Sequence, residues 1–222
     1  SFGLPSKYVP KDTPWEVLWG PFFFFVTILL PVVFAPLVVK DLGAVYSDAG
    51  MKTLLTVGAF GLLWGLGSMT LGKAFAFIGL SLAYALNYGA QIITGSIVPM
   101  AIGSPGAFGE KYGLVILGGI AVLLVGVVVC GRAAILKEKS LQKDQPESPP
   151  DETAEASKSP RMGIGVLIGV LSGVLCGCWA VASFYGGPIN DAAGAHENVG
   201  WAASWALTAV ILWGGAISAC LY

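Results

Sequence analysis

Six runs without a charged residue govern what this chain can become: Val17 to Val39, Thr53 to Gly72, Ala74 to Gly109, Tyr112 to Gly131, Met162 to Asn190 and Asn198 to Tyr222. About 20 apolar residues in a helix cross the hydrocarbon core of a bilayer, so each run is long enough for one span. With 55% apolar and only 11% charged residues, against roughly 25% charged in a soluble domain, the chain reads as a membrane protein. The Ala74 to Gly109 run divides into a short turn at Phe77 to Gly79, a span over about 80–101 and a Gly/Pro loop from Ile102 to Gly109. The expectation is an all-α membrane protein, a helical bundle of about six transmembrane helices at about 17–39, 53–72, 80–101, 112–131, 162–188 and 199–222. Nearly all charge falls in loops, and no basic patch supports nucleic-acid binding. The 31 glycines suit helices that pack through small residues.

Ser1, Phe2 and Pro5 are echoed by Ser183, Phe184 and Pro188, and the spacing of Trp15 and Trp19 repeats in Trp201 and Trp205. An internal repeat of this kind implies two halves of five spans each, a ten-helix parent of which this chain is a fragment holding spans two to seven. Residues 1–136 are then the first repeat lacking its first helix, 137–161 a disordered linker rich in Pro, Ser and charge, and 162–222 the start of the second repeat. Pro21, Pro31 and Pro36 predict kinks in the first span. Gly61 and Gly65 form a GxxxG pair, whose expected use is close helix contact. The Tyr112 to Gly131 span has no interior polar side chain before Cys130 and reads as structural, a scaffold or homodimer helix. The four cysteines lie in or at the ends of apolar spans and read as buried thiols; Cys176 and Cys178 face different sides of a helix and make a poor metal pair. Lys and Arg number nine on the linker side (Lys7, Lys11, Lys73, Arg132, Lys137, Lys139, Lys143, Lys158, Arg161) and three on the other (Lys40, Lys52, Lys111), which puts the linker in the cytoplasm.

No enzyme motif is present, and no cofactor is implied. The single histidine, His196, lies beside Glu197 in a polar loop, where it is either merely solvated or able to sense pH. The candidate binding surface is a polar stripe inside an apolar run: Tyr84, Asn87, Tyr88, Gln91 and Thr94 follow i, i+3, i+4, i+7 and i+10, one face of a helix. Amides that donate and accept, next to phenol rings, suit the hydroxyls and apolar face of a sugar. The same residues could instead bond neighbouring helices and touch no ligand. Lys73 is either a snorkelling anchor or a substrate contact. Ser172, Cys176, Trp179 and Ser183 share a face, and Trp179 supplies an aromatic surface that serves either a site or an interfacial belt. None of the six spans contains Asp, Glu or His at depth, the usual carriers of a proton. Glu16, at the mouth of the first span, comes nearest, so proton coupling uses either an interfacial acid or a group in the missing spans.

SFxxPxK with its following WE (Ser1, Phe2, Pro5, Lys7, Trp15, Glu16), GLLWGLG around Trp64, GLSLAYALNYG from Gly79 to Gly89, ITGSIVP ending at Pro99 and a GRAAxxKEK-like end from Gly131 to Lys139 carry a resemblance. With these segments the chain resembles the L-rhamnose/proton symporter family of the drug/metabolite transporter superfamily. The resemblance implies a ten-helix carrier of two inverted five-helix repeats, working by alternating access, with a sugar as substrate, a proton as coupling ion and a bacterial plasma (inner) membrane as location. The substrate-binding set expected is Tyr84, Asn87, Tyr88, Gln91, Thr94, Trp64, Lys73, Trp179 and Ser183. Partners are the sugar, the proton, membrane lipid and a second copy in a homodimer. The alternatives are a metabolite or drug exporter of the same superfamily and a membrane receptor or scaffold that does not transport.

Overall fold

The computed structural model describes residues 15–143 and 160–221. The opening segment, most of the 137–161 linker and the side chains of Trp15 and Glu16 lie outside the described residues. Among the described residues every regular element is helical, in the order α1 (Trp15–Phe24), a π turn (Phe25–Leu29), α2 (Leu30–Val38), α3 (Leu42–Ala49), α4 (Met51–Gly103), a 3-10 turn (Pro105–Gly109), α5 (Lys111–Lys143), α6 (Pro160–Cys176), α7 (Cys178–Tyr185), α8 (Gly187–Ala195) and α9 (Trp201–Leu221).

Among the described residues, five helices are long and apolar enough to cross a membrane: Trp19–Val38, Met51–Gly103, Lys111–Ala133, Met162–Tyr185 and Trp201–Cys220. Six runs become five helices because α4 joins two of them. As one straight rod its 53 residues would reach about 80 Å, far beyond the ~30 Å hydrocarbon core. Gly79, at φ 72° and ψ 164°, breaks it into two arms. That backbone region is closed to residues with a Cβ, so the break falls on the glycine that ends the turn expected over 77–79. The prolines of the first span act as their chemistry dictates. Pro31 has no N–H for the Thr27 carbonyl, and just before it the ladder slips into the π turn, where the Leu30 N–H reaches the Phe25 carbonyl. Buried Thr27 turns its hydroxyl back onto the Phe23 carbonyl at 2.7 Å.

The fifth helix departs from expectation at its end. α5 continues through Lys143 into the segment read as linker. Lys, Glu, Leu and Gln are good helix formers, and Pro146 is the first helix-breaking residue after Gly131.

The chain divides into two compact units, Ser1–Leu66 with Cys178–Tyr222, and Gly67–Gly177. In the first, Val39, Val45, Val57, Ile189, Leu207 and Ile211 form the buried core. The first arm of α4 meets α9 through glycine. A Cβ on Gly61 would run into the Ile211 carbonyl, one on Gly65 into Ser218 Oγ, and one on Gly214 into the Gly58 carbonyl. The expected GxxxG contact is therefore met by glycines on the facing helix, and the backbones touch directly.

The second unit uses the same device with a longer pattern. Gly165, Gly169, Gly173 and Gly177 recur every fourth residue along and just beyond α6, and each lies against α4 residues between Phe77 and Thr94. A Cβ on Gly165 would stand 2.6 Å from Phe77 Cβ, and one on Gly177 would stand 2.7 Å from Thr94 Cβ.

Candidate functional site

Close approach of α6 decides what the polar stripe on the second arm of α4 can do. Asn87 is 1% exposed. Its Nδ2 donates to Ser172 Oγ at 2.6 Å and lies 3.8 Å from Cys176 Sγ. Ser172 in turn donates to the Gly169 carbonyl at 3.2 Å, and Ser68 Oγ reaches Cys176 Sγ at 3.9 Å. Gly173 and Gly177 let α6 settle onto the backbone of Asn87 and Gln91. Asn87 thus bonds a neighbouring helix, the second of the two uses its residue type allowed.

The rest of the stripe is less committed. Tyr84 and Tyr88 stack with ring centroids 5.5 Å apart and planes at 12°, and Phe75 backs Tyr84 at 4.9 Å. Tyr88 is 51% exposed. The Tyr84 hydroxyl oxygen is buried and has no hydrogen-bond partner among the described residues. An unpaired hydroxyl in such a place costs on the order of 1–3 kcal/mol, so it is poised to gain from a polar ligand. Gln91 and Thr94 are half-buried, and no side-chain hydrogen bond engages either among the described residues. One arm of one helix therefore carries a stacked aromatic pair, an orphan phenol oxygen and an open amide.

In the other unit, Trp64 meets Trp179 edge-on at 4.9 Å, and Phe60 stacks on Tyr185 at 5.6 Å and 6°. Ser183 donates its hydroxyl to the Trp179 carbonyl at 3.0 Å, so its proton is already engaged within α7. Lys73, by contrast, belongs to the Gly67–Gly177 unit and is exposed on α4 ahead of Gly79.

A polar cap in the unit that holds Trp64 and Trp179 was only partly foreseeable. Asn198 Oδ1 accepts from the Lys40 N–H at 2.8 Å, and its Nδ2 donates to the Lys40 carbonyl at 3.0 Å and the Ala193 carbonyl at 3.2 Å. Lys40 pairs with Glu197. His196, read from sequence as a loop residue, lies between two carboxylates: Nε2 is 2.9 Å from Asp48 Oδ2 and Nδ1 is 3.8 Å from Asp41 Oδ2. The partners come from positions about 150 residues earlier in the chain, which no local pattern announces. Under the cap, Tyr46 donates to the Ala206 carbonyl at 2.9 Å, and burial pushes its phenol well above the usual tyrosine range. Among the described residues no group of three or more His, Cys, Asp or Glu could hold a metal ion.

A family model described as L-rhamnose-proton symport protein matches residues 1–222. The chain is similar to proteins named L-rhamnose-proton symporter from Mannheimia succiniciproducens (33% identical over 144 residues), Pectobacterium atrosepticum (32% over 142) and Shigella flexneri (32% over 142). Each match covers 63% of this chain and 41% of the relative, so the chain aligns with less than half the length of these relatives. No solved structure matches it.

Proposed function

Because the chain belongs to the L-rhamnose-proton symport protein family, we propose that it is part of a proton-driven carrier of a rhamnose-like monosaccharide. The observation that carries this reading is the Tyr84–Tyr88 stack, half open on one side, with the unpartnered Tyr84 oxygen and the uncommitted Gln91 amide on the same helical arm. A sugar ring offers a C–H face to an aromatic ring and a rim of hydroxyls to amides and phenols. Tyr84, Tyr88, Gln91 and Thr94 hold the substrate, while Asn87 fixes their arm to α6. Trp64 and Trp179 offer an aromatic surface within their own unit, Ser183 retains acceptor capacity there, and Lys73 serves as an interfacial anchor.

The carrier is a ten-helix member of the drug/metabolite transporter superfamily, built from two inverted five-helix repeats. Residues 1–136 lie in the first repeat and 162–222 in the second. Six crossings, with α4 turning back at Gly79, bring 39–50 and 186–200 to one membrane face; five would put them on opposite faces. The bonds between Asn198 and Lys40 support six. The excess of Lys and Arg on the opposite side supports a cytoplasmic linker, with the Lys40–Asn198 cap outside a bacterial plasma membrane. Uptake of labelled rhamnose by proteoliposomes containing the full-length protein, under an imposed inward proton gradient, tests the reading. Accumulation that collapses with the gradient is expected; no accumulation of any monosaccharide in a broad panel would refute it.

A further inference from the structure

A proton-coupled carrier needs a group that changes charge near neutral pH. His196 is the one histidine in the chain, and histidine as a residue type titrates between about pH 5 and 8. Its surroundings are specific. Asp48 Oδ2 faces Nε2 at 2.9 Å, and Asp41 Oδ2 faces Nδ1 at 3.8 Å. A neutral imidazole has one N–H and can donate to only one of these carboxylates; the imidazolium has two and can serve both. The ring is 24% exposed, so water reaches it.

The loop that carries the ring is fixed. Asn198 ties it to both backbone groups of Lys40, and Lys40 is itself paired with Glu197. Asp41 holds φ 53° and Glu197 φ 61°, left-handed conformations that aspartate tolerates better than most residues. Of the remaining charged groups on neighbouring elements, Asp191 on α8 and Lys52 on α4 are exposed, and neither forms an ion pair with His196 among the described residues.

We propose that His196, set between Asp41 and Asp48, is the external proton-binding site through which the carrier takes up its coupling proton. The inference rests on the proton-symport reading and on the orientation given with it. A proton leaves hydronium in the outer water, the lone pair of the unprotonated ring nitrogen forms the new N–H bond, and the charge of the His–Asp–Asp group rises from −2 to −1. The imidazolium then bridges α3 to the loop between α8 and α9. Asp48 lies two residues before Gly50, where the chain turns into the first arm of α4. Protonation therefore tightens the cap at the root of that arm, and return of the proton to a water molecule at the ring releases one carboxylate.

The test uses the full-length protein in proteoliposomes, with the initial rate of labelled rhamnose uptake measured against external pH at constant pH difference and voltage. The wild type is expected to show one inflection in the histidine range. His196→Gln removes it, and Asp41→Asn changes its midpoint, since the imidazolium loses a facing anion. Profiles of both variants that superimpose on the wild type overturn the proposal. If His196→Gln does not fold, Asp41→Asn decides alone: a shifted midpoint supports the site and an unshifted one overturns it. A wild type that accumulates no sugar under a proton gradient refutes the symport reading itself, and is distinguished by that arm from a failure of His196.

Discussion

Asn87 offers the sharpest separation between a residue that holds the fold and a residue that holds a ligand. Truncation to alanine removes the 2.6 Å bond to Ser172 and the contact with Cys176 from a site that is 1% exposed. Interhelical hydrogen bonds in membranes contribute about 0.6 kcal/mol on average and up to ~1.7. Closely packed glycines on α6 limit how far the helices can collapse into the vacated volume, which adds on the order of 1 kcal/mol. Asn87→Ala should therefore destabilise by about 2 kcal/mol. Ser172→Ala should cost less by itself, because serine also bonds the Gly169 carbonyl within its own helix. The assay is a double-mutant cycle on purified full-length protein, with unfolding followed in mixed micelles of rising SDS fraction. A coupling energy of about 0.6–1.7 kcal/mol between Asn87→Ala and Ser172→Ala is expected, together with an unchanged KM for sugar in the folded fraction. Coupling within about 0.3 kcal/mol of zero, or a KM raised tenfold with stability intact, would refute the assignment of Asn87 to helix packing.

Gly61→Val should strip folded protein from the membrane, because the added carbons meet the Ile211 backbone rather than a mobile side chain; loss of the monodisperse peak in detergent chromatography checks it. Tyr84→Phe deletes a buried oxygen without a partner, so stability should hold or rise by up to about 1 kcal/mol while sugar affinity falls, a pair of opposite signs readable from thermal unfolding and uptake. Asn198→Ala unclasps Lys40 from the loop between α8 and α9, costing on the order of 2 kcal/mol. Hydrogen exchange should rise first at 40–49 and 192–200.

Much of the architecture was legible because bilayer physics makes it so. Charge-free runs of sufficient length announce helices, prolines announce the kink that appears as a π turn before Pro31, and Gly79 ends the turn that breaks α4. The limits have equally physical causes. The helical face bearing Asn87, Tyr88 and Gln91 is fixed by sequence, but what lies against it is a tertiary fact, and both readings of an intramembrane amide are chemically sound. The four-residue glycine ladder of α6 was a signal available in sequence: Gly165, Gly169, Gly173 and Gly177 mark a helix that approaches a neighbour at the backbone, and that neighbour is the stripe. His196 could not be read locally, since its carboxylates arrive from the other end of the chain. The run of α5 to Lys143 is not legible because composition typical of a linker, rich in Lys, Glu and Gln, is also composition that sustains a helix.

The most direct test of the central claim is the concentration dependence of rhamnose uptake by full-length protein carrying Tyr88→Ala, with Gln91→Ala beside it. Loss of an exposed aromatic face that stacks on a sugar predicts an affinity about tenfold weaker, roughly 1.4 kcal/mol, with unfolding midpoints like the wild type. Unchanged affinity in both variants would contradict the claim that this arm of α4 binds the substrate.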